Sequence, residues 1–224
     1  MKLDGHKIIE GQIHCLNGLK IGGTKEAVGM GETDNPVIRH PITRLPYIPG
    51  SSLKGKIRSI MEISDANTNT QKSGRPCDCG RCDVCRLFGC GNAQNSTEPT
   101  RLIFRDAMLD KASEQELEEA LPGSFVEVKT EIQMDRLAGK AQRGALRQQE
   151  RIPAGAKFNF SISMRIFAED SAEARKRFMK KLAGAFEMLE NEYIGGNGTR
   201  GYGQVKIFSA DGKPMTEYLK ALSV

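Results

Sequence analysis

Residues 156–167 constrain the fold more than any other stretch. Phe158, Phe160, Ile162, Met164 and Ile166 alternate with Lys157, Asn159, Ser161, Ser163 and Arg165, the two-residue period of a strand with one covered face. A helical period follows over Ala172 to Tyr193, with Phe178, Leu182, Ala185, Phe186 and Leu189 on one stripe. Val205 and Ile207 then mark a last strand. Upstream, His6 to Cys15 carries Ile8, Ile9, Ile13 and Cys15 and predicts a first strand. Pro49-Gly50-Ser51-Ser52 opens a helix striped by Leu53, Ile57, Ile60 and Met61, with Ser51 or Ser52 as its cap. Arg101 to Leu109 predicts a second strand, Ser113 to Glu116 a capping box on a short acidic helix, and Ser124 to Ile132 a third strand. With insertions set aside, the order is strand, helix, strand, strand, helix, strand. That is an α+β chain with the split βαβ order of a ferredoxin-like fold; a doubly wound sheet is the alternative pairing.

Three stretches fall outside this core. Residues 16–50 hold Gly and Pro turns without sustained periodicity and predict a long loop. Residues 64–100 are polar and Cys-rich, an insertion; residues 129–151 separate two strands and predict a projecting hairpin. A chain of 224 residues fits one elaborated domain or two small ones; the reading adopted is one domain over 1–224 with these three insertions. No apolar run reaches spanning length, and the N-terminus is not a secretory signal. The expectation is a cytoplasmic protein with no membrane partner, in which six Cys signal metal or free thiols before disulfides.

The sharpest local chemistry is Cys77, Cys79, Cys82 and Cys85, spaced C-x-C-x2-C-x2-C. Four thiolates wrap one tetrahedral Zn²⁺ and leave no open position, so the zinc is read as structural. An iron–sulfur cluster is more crowded at this spacing; Cys90 is the alternative to Cys77, and Cys15 reads as core.

Basic, phosphate-suited stretches occur three times. Ser51, Ser52, Lys54, Gly55, Lys56 and Arg58 sit at or near a helix N-terminus, where amides and cations suit a phosphate. Residues 129–151 hold Lys129, Arg136, Lys140, Arg143, Arg147 and Arg151, interleaved with Leu137, Ala138, Ala141, Ala145 and Leu146. Such an arm lies along a nucleic-acid backbone and wedges between bases. The third is Gly195 to Gly203, five glycines in nine residues around Arg200; with Gly196, Gly198 and Gly201 it makes an anion nest. A net charge of +5 favours an anionic partner only weakly, and the absence of Trp argues against broad base stacking. A long, distributed basic surface points to nucleic acid before a small phosphate ligand.

Ile48-Pro49-Gly50-Ser51-Ser52-Leu53-Lys54-Gly55 with Arg58, and the later Gly-rich loop, resemble the RAMP superfamily of CRISPR proteins. With the Cys insertion and the loop around Asp34, the chain is similar to the repeated backbone subunits of type III-A (Csm) effector complexes. The resemblance implies an RRM-like core with a lid loop, a zinc-binding insertion and a thumb hairpin. It implies copies stacked as a helical filament on a guide CRISPR RNA beside other type III-A subunits. It further implies cleavage of the complementary target RNA at regular intervals through the 2′-OH, with Mg²⁺ or Mn²⁺. Asp34, in Gly29-Met30-Gly31-Glu32-Thr33-Asp34-Asn35-Pro36, matches the cleaving carboxylate; by its sequence alone it is an Asx turn before Pro36. Glu32 competes for the role, His14 and His40 read as structural or RNA-facing, and Asp106 as a structural hydrogen-bonding group. The alternatives are a filament subunit that does not cleave, and a stand-alone nuclease processing precursor CRISPR RNA.

Overall fold

The structure, a computed structural model, describes residues 1–23, 36–70 and 74–222. The elements are β1 (Leu3–Cys15), β2 (Tyr47–Ile48), α1 (Gly50–Ser64), α2 (Asp83–Phe88), β3 (Leu102–Phe104), β4 (Ala107–Leu109), α3 (Lys111–Ala120), β5 (Glu127–Asp135), β6 (Lys140–Arg151), β7 (Lys157–Phe167), α4 (Ala172–Asn191), β8 (Val205–Ser209) and α5 (Met215–Ala221). β7 pairs with β1 on one side and with β3 and β4 on the other, and β1 pairs with β8. Every pairing is antiparallel. β3 and β4 are one strand broken at Arg105 and Asp106, so the core order is β3/β4–β7–β1–β8. With α1 and α4 as the two crossovers, this is the ferredoxin-like arrangement, and the antiparallel pairing removes the doubly wound alternative.

The alternation of β7 explains the layering. Ile9 sits opposite Ile162 and Ile13 opposite Phe158, so these buried side chains share one face. Phe186 of α4 stacks on Phe160 of that face at 6.0 Å between ring centroids. Phe178, Leu182, Phe186 and Leu189 of α4 are all buried, each worth roughly 1.5–3 kcal/mol against exposure. The opposite face, carrying Gln12, His14 and Asn159, stays polar: Gln12 Nε2 donates to the Asn159 side chain at 2.9 Å.

Three local expectations are corrected. Residues 124–132 do not supply a core strand. They lead into β5, which pairs only with β6, as a separate two-stranded hairpin. The edge of β7 is already occupied by β3 and β4, and a local turn after Asp135 pairs β5 with the next strand at little loop-closure cost. At α1, neither Ser51 nor Ser52 is the cap: the helix begins at Gly50, whose amide donates to Asp106 Oδ1 at 2.7 Å. The break between β3 and β4 thus presents a carboxylate to a helix N-terminus. At α3 the cap is Asp110, accepting from the Ala112 amide at 3.1 Å. Ser113 is instead buried, its Oγ accepting from Lys157 N at 3.0 Å.

Candidate nucleic-acid interface

The Gly-rich loop does two jobs. Part of it is framework. Gly195 has φ +79° and Gly203 φ +74°, and a Cβ on either would lie about 2 Å from a carbonyl oxygen, of Lys20 and Ile194 respectively. At those close approaches Gly196 N donates to Lys20 O (2.8 Å) and Ile194 N donates to Gly203 O (2.8 Å). The rest is a single 3₁₀ turn over Gly198–Arg200, with Asn197 and Gly201 left-handed on either side. Arg200 is exposed; it contacts Asn197 Oδ1 and donates to Glu131 Oε2 at 3.2 Å. The phosphate reading therefore narrows to the 198–201 turn and Arg200.

The other two basic stretches abut this turn. Gly198 packs so closely on the Tyr193 ring that a Cβ would overlap it. Lys56 of α1 lies over the same ring, 4.1 Å from the Tyr193 centroid, and donates to Glu192 at 2.6 Å. On the arm side, Glu131 of β5 takes Arg200 on one oxygen and Tyr202 Oη on the other at 2.8 Å. Burial, then the bond to Glu131, raises the Tyr202 hydroxyl above its usual pKa, so it stays a donor. Lys129 and Arg151 cover the Tyr202 ring at 4.8 and 5.1 Å, a cation–π arrangement. Lys129, Glu131, Ala145, Arg147 and Arg200 line a groove of about 530 Å³ between arm and loop. One surface therefore runs from the start of α1 through Tyr193 and the Gly turn to the foot of the arm.

Not every candidate lies on it in the same way. Ser51 and Gly55 are exposed, and Ser52 and Lys54 half-buried, on the first turns of α1. Burial, then the charge of Arg58, lowers the Lys54 pKa. Arg58, one turn further along the same face, is engaged elsewhere: its guanidinium donates to Glu62 at 2.8 Å and to the Cys77 carbonyl at 2.7 Å. It braces the Cys insertion, a role that spacing did not reveal. On the arm, Arg136, Lys140 and Arg143 are exposed. The tip is an Asx turn, Asp135 Oδ1 accepting from Leu137 and Ala138 amides at 2.9 and 3.0 Å, and it leaves Leu137 fully exposed. Val128, Ile132, Met134 and Leu146 are also exposed along the arm; the sequence pattern gave no sign that the apolar face of β5 is the open one, while Glu127, Lys129 and Glu131 are half-buried.

Asp34 and Glu32 lie outside the described residues. The legs on either side of 24–35 are described. Gly22 and Val37 form a β-bridge, and Gly23 N donates to Pro36 O at 3.0 Å. The legs run beside the foot of the arm, where Leu19 pairs with Ile152. Elsewhere, His40 Nδ1 accepts turn amides of Ile42 and Thr43 at 3.4 and 3.3 Å. His14 contacts Gln12 at 3.1 Å and the Phe208 ring; burial, then Lys157, lowers its pKa. Neither stands in an acid–base constellation among the described residues.

The sulfur atoms of Cys77, Cys79, Cys82 and Cys85 all lie within 4.8 Å of one another. Cys77 and Cys82 are 3.8 Å apart and Cys79 and Cys85 4.0 Å, matching the ~3.8 Å edge of a tetrahedron with metal–sulfur bonds of about 2.3 Å. Amides of Asn69, Cys82 and Cys85 each point at a cluster sulfur at 3.4 Å, which favours thiolates. The donor set fits zinc. Cys90 is not in the cluster; its thiol faces the Asp78 carbonyl at 3.2 Å. The insertion is clipped to α4 by Lys181, 2.5 Å from Asp65 and 3.0 Å from Asp83, and by Arg177 on Asp83 at 2.9 Å. No helix among the described residues is long and apolar enough to cross a membrane.

Comparison with known proteins places this geometry. A RAMP-superfamily model matches residues 12–206. A Methanocaldococcus jannaschii protein named CRISPR system Cms endoribonuclease Csm3 is 42% identical over 209 residues, covering 92% of this chain and 80% of its own. Proteins of the same name from Streptococcus thermophilus (38% identical; 87% and 83% covered) and Mycobacterium tuberculosis (35%; 89% and 85%) are similar. Among solved structures, a chain of the Csm3–Csm4 subcomplex of the type III-A CRISPR-Cas interference complex superposes with TM-score 0.61 and 27% identity, covering 100% of this chain and 97% of that one. Methanopyrus kandleri Csm3 shares the fold (TM-score 0.58, 21% identity, 92% and 76% covered). Similarity of this depth along nearly the whole length leaves one assignment: the chain belongs to the RAMP superfamily, among its Csm3 proteins.

Proposed function

We propose that this chain is the repeated backbone subunit of a type III-A CRISPR effector, holding the guide RNA and cutting the target RNA paired to it. The observation that carries this is the continuous surface joining α1, the Gly198–Arg200 turn and the arm, on a chain whose relatives bear the name of a CRISPR endoribonuclease. Ser51, Ser52, Lys54 and Gly55 of α1, with Gly198, Arg200 and Gly201, grip the guide backbone without reading bases. Lys129, Arg136, Lys140 and Arg143 carry the arm across the guide–target duplex. Copies of the chain stack along the guide with other type III-A subunits, in the cytoplasm. The Cys cluster holds a structural Zn²⁺.

Cleavage is assigned to Asp34. Its carboxylate takes the proton of a target ribose 2′-OH, the 2′ oxygen attacks the adjacent phosphorus, and the bond to the 5′ oxygen breaks, that oxygen leaving with a proton from solvent. A bound Mg²⁺ or Mn²⁺ supplies charge that offsets what develops on the phosphate. An acid–base contribution of this kind is about two to four orders of magnitude. The test is the assembled complex given a target with 2′-deoxyribose at the cut positions. It is expected to bind and stay intact; cutting at those positions would rule out the 2′-OH route.

A further inference from the structure

The arm is tied to the Gly loop at two levels. At its foot, Lys129 and Arg151 lie over the Tyr202 ring, 4.8 and 5.1 Å from its centroid. Gln149, paired with Lys129, accepts there from Asn197 Nδ2 at 2.5 Å. Glu131 stands two residues further out on β5. Its Oε1 accepts from Tyr202 Oη at 2.8 Å and its Oε2 from Arg200 Nη1 at 3.2 Å. Among the described residues, these are the outermost hydrogen bonds from the body to the arm. A hairpin held only at its foot can tilt; a second tie further out fixes its angle. The two donors at Glu131 differ in kind. Arg200 is exposed, so its pairing with a carboxylate is weak, and a phosphate competes for its guanidinium through two parallel bonds. Tyr202 is buried, which withholds its hydroxyl from a ligand and leaves it on Glu131.

We infer that Tyr202 is a positioning residue for the arm in the guide-loaded state: when Arg200 turns to a guide phosphate, the bond from Tyr202 to Glu131 remains and holds the arm at its angle. The inference rests on the function proposed above. It gives the guide-binding turn and the arm one shared anchor, because Tyr202 follows Arg200 by two residues in the same loop. The place where the guide is held then sets where the arm crosses the duplex. Removing the hydroxyl alone leaves an aromatic ring under Lys129 and Arg151, so the foot stays seated. In the free chain Arg200 still holds Glu131. The loss shows once the guide has drawn Arg200 away.

The experiment reads the arm angle directly. Spin labels carried on unnatural side chains at position 137, at the arm tip, and at position 180, exposed on α4, are placed in full-length chains diluted into unlabelled ones. The distance distribution between them is measured by pulsed dipolar spectroscopy for the free chain and for the complex assembled on guide RNA. Wild type is expected to give one narrow distance in both states. Tyr202→Phe is expected to match wild type without guide and to broaden with guide, while guide affinity stays within about twofold because the phosphate contacts are kept. Glu131→Gln, whose amide oxygen still accepts from Tyr202, is expected to stay narrow with guide. A role for Tyr202 in packing alone would act on the free and loaded states alike, so equal widths for Tyr202→Phe in the two states overturn the inference. Should Tyr202→Phe fail to take up guide, Glu131→Ala stands in, and a narrow distance in its loaded state overturns the inference. Cutting by Asp34→Ala at the wild-type rate overturns the cleavage proposed above and leaves the distance result standing. Failure of the wild-type chain to take up guide overturns both.

Discussion

At the scale of single residues, side chains that looked interchangeable in the sequence have separate tasks. Of the six cysteines, four converge and two do not. Cys15 is a core residue on β1, where burial pushes its thiol up to about 12. It is therefore expected to resist alkylation at neutral pH in the folded protein, as thiol counting before and after denaturation would check. Cys82→Ser is expected to remove the zinc and undock the insertion, measured as lost metal by elemental analysis and a lower Tm; full zinc content would refute the four-thiolate site. Asp83 tests the clip that holds the insertion. Burial works against ionisation there, but hydrogen bonds from Arg177 and Lys181 outweigh it and hold the carboxyl below its usual value. A depressed carboxylate pKa adds stability that is present above the unfolded value, near 3.9, and is lost as pH falls through the folded one. Asp83→Asn should therefore lower Tm by a few degrees at pH 7, and the gap should close as pH falls below about 4. A constant gap across that range would show that the effect is not electrostatic. Cys spacing made the four-thiol cluster legible from sequence. Arg58 was not: a cation near a helix start reads as phosphate-binding until the Cys77 carbonyl and Glu62 are seen to occupy it.

At the scale of elements, periodicity served where the apolar face of a strand or helix is the covered one and failed where it is not. β7 and α4 were legible because Phe158, Phe160 and Ile162, or Phe178, Leu182 and Phe186, repeat toward one core. β5 shows the failure. Its alternation of Val128 and Ile132 with Lys129 and Glu131 reads as a strand with its apolar face covered, yet Val128 and Ile132 are exposed, and Lys129 and Glu131 are the half-buried pair, against Tyr202 and Arg200 of the Gly loop. The start of α1 was misread for a different reason: Asp106 serves it from 56 residues away in sequence, so no local motif records it. α5 escaped notice because its seven residues bury only Met215 and Leu219, too short a stripe to show a period. The excess of glycine in the 195–203 loop was legible, but not its division between framework and ligand. Gly195→Ala should cost more than 1 kcal/mol, since it combines positive φ with a Cβ against Lys20 O, whereas Gly201→Ala meets no neighbour and pays only the strain of φ +82°. Denaturant midpoints of the two variants would decide; equal midpoints would contradict the framework role of Gly195. For the arm, deletion of 135–140 is expected to leave the fold intact and blur the spacing of cuts in target RNA, and unchanged spacing would show that the arm does not set the interval.

At the scale of the whole molecule, the core antiparallel sheet is backed by α1 and α4, the Cys insertion is clipped to α4, and the arm stands apart as its own two-stranded sheet. The charge of +5 is small for a nucleic-acid binder, but its placement matters more than its sum, because Lys56, Arg200, Lys129 and Arg147 fall on one surface. Guide binding is accordingly expected to weaken steeply with salt and to be nearly indifferent to spacer sequence. The central claim is that this surface holds the guide while Asp34 cuts the paired target. The most direct measurement is end-mapping of target-RNA fragments from complexes assembled with wild-type chain and with Asp34→Ala. Wild type should give cuts at uniform intervals within the guide-paired region, and Asp34→Ala should give intact target bound as tightly as before. Irregular cuts, or the same ladder at the same rate from Asp34→Ala, would contradict the account.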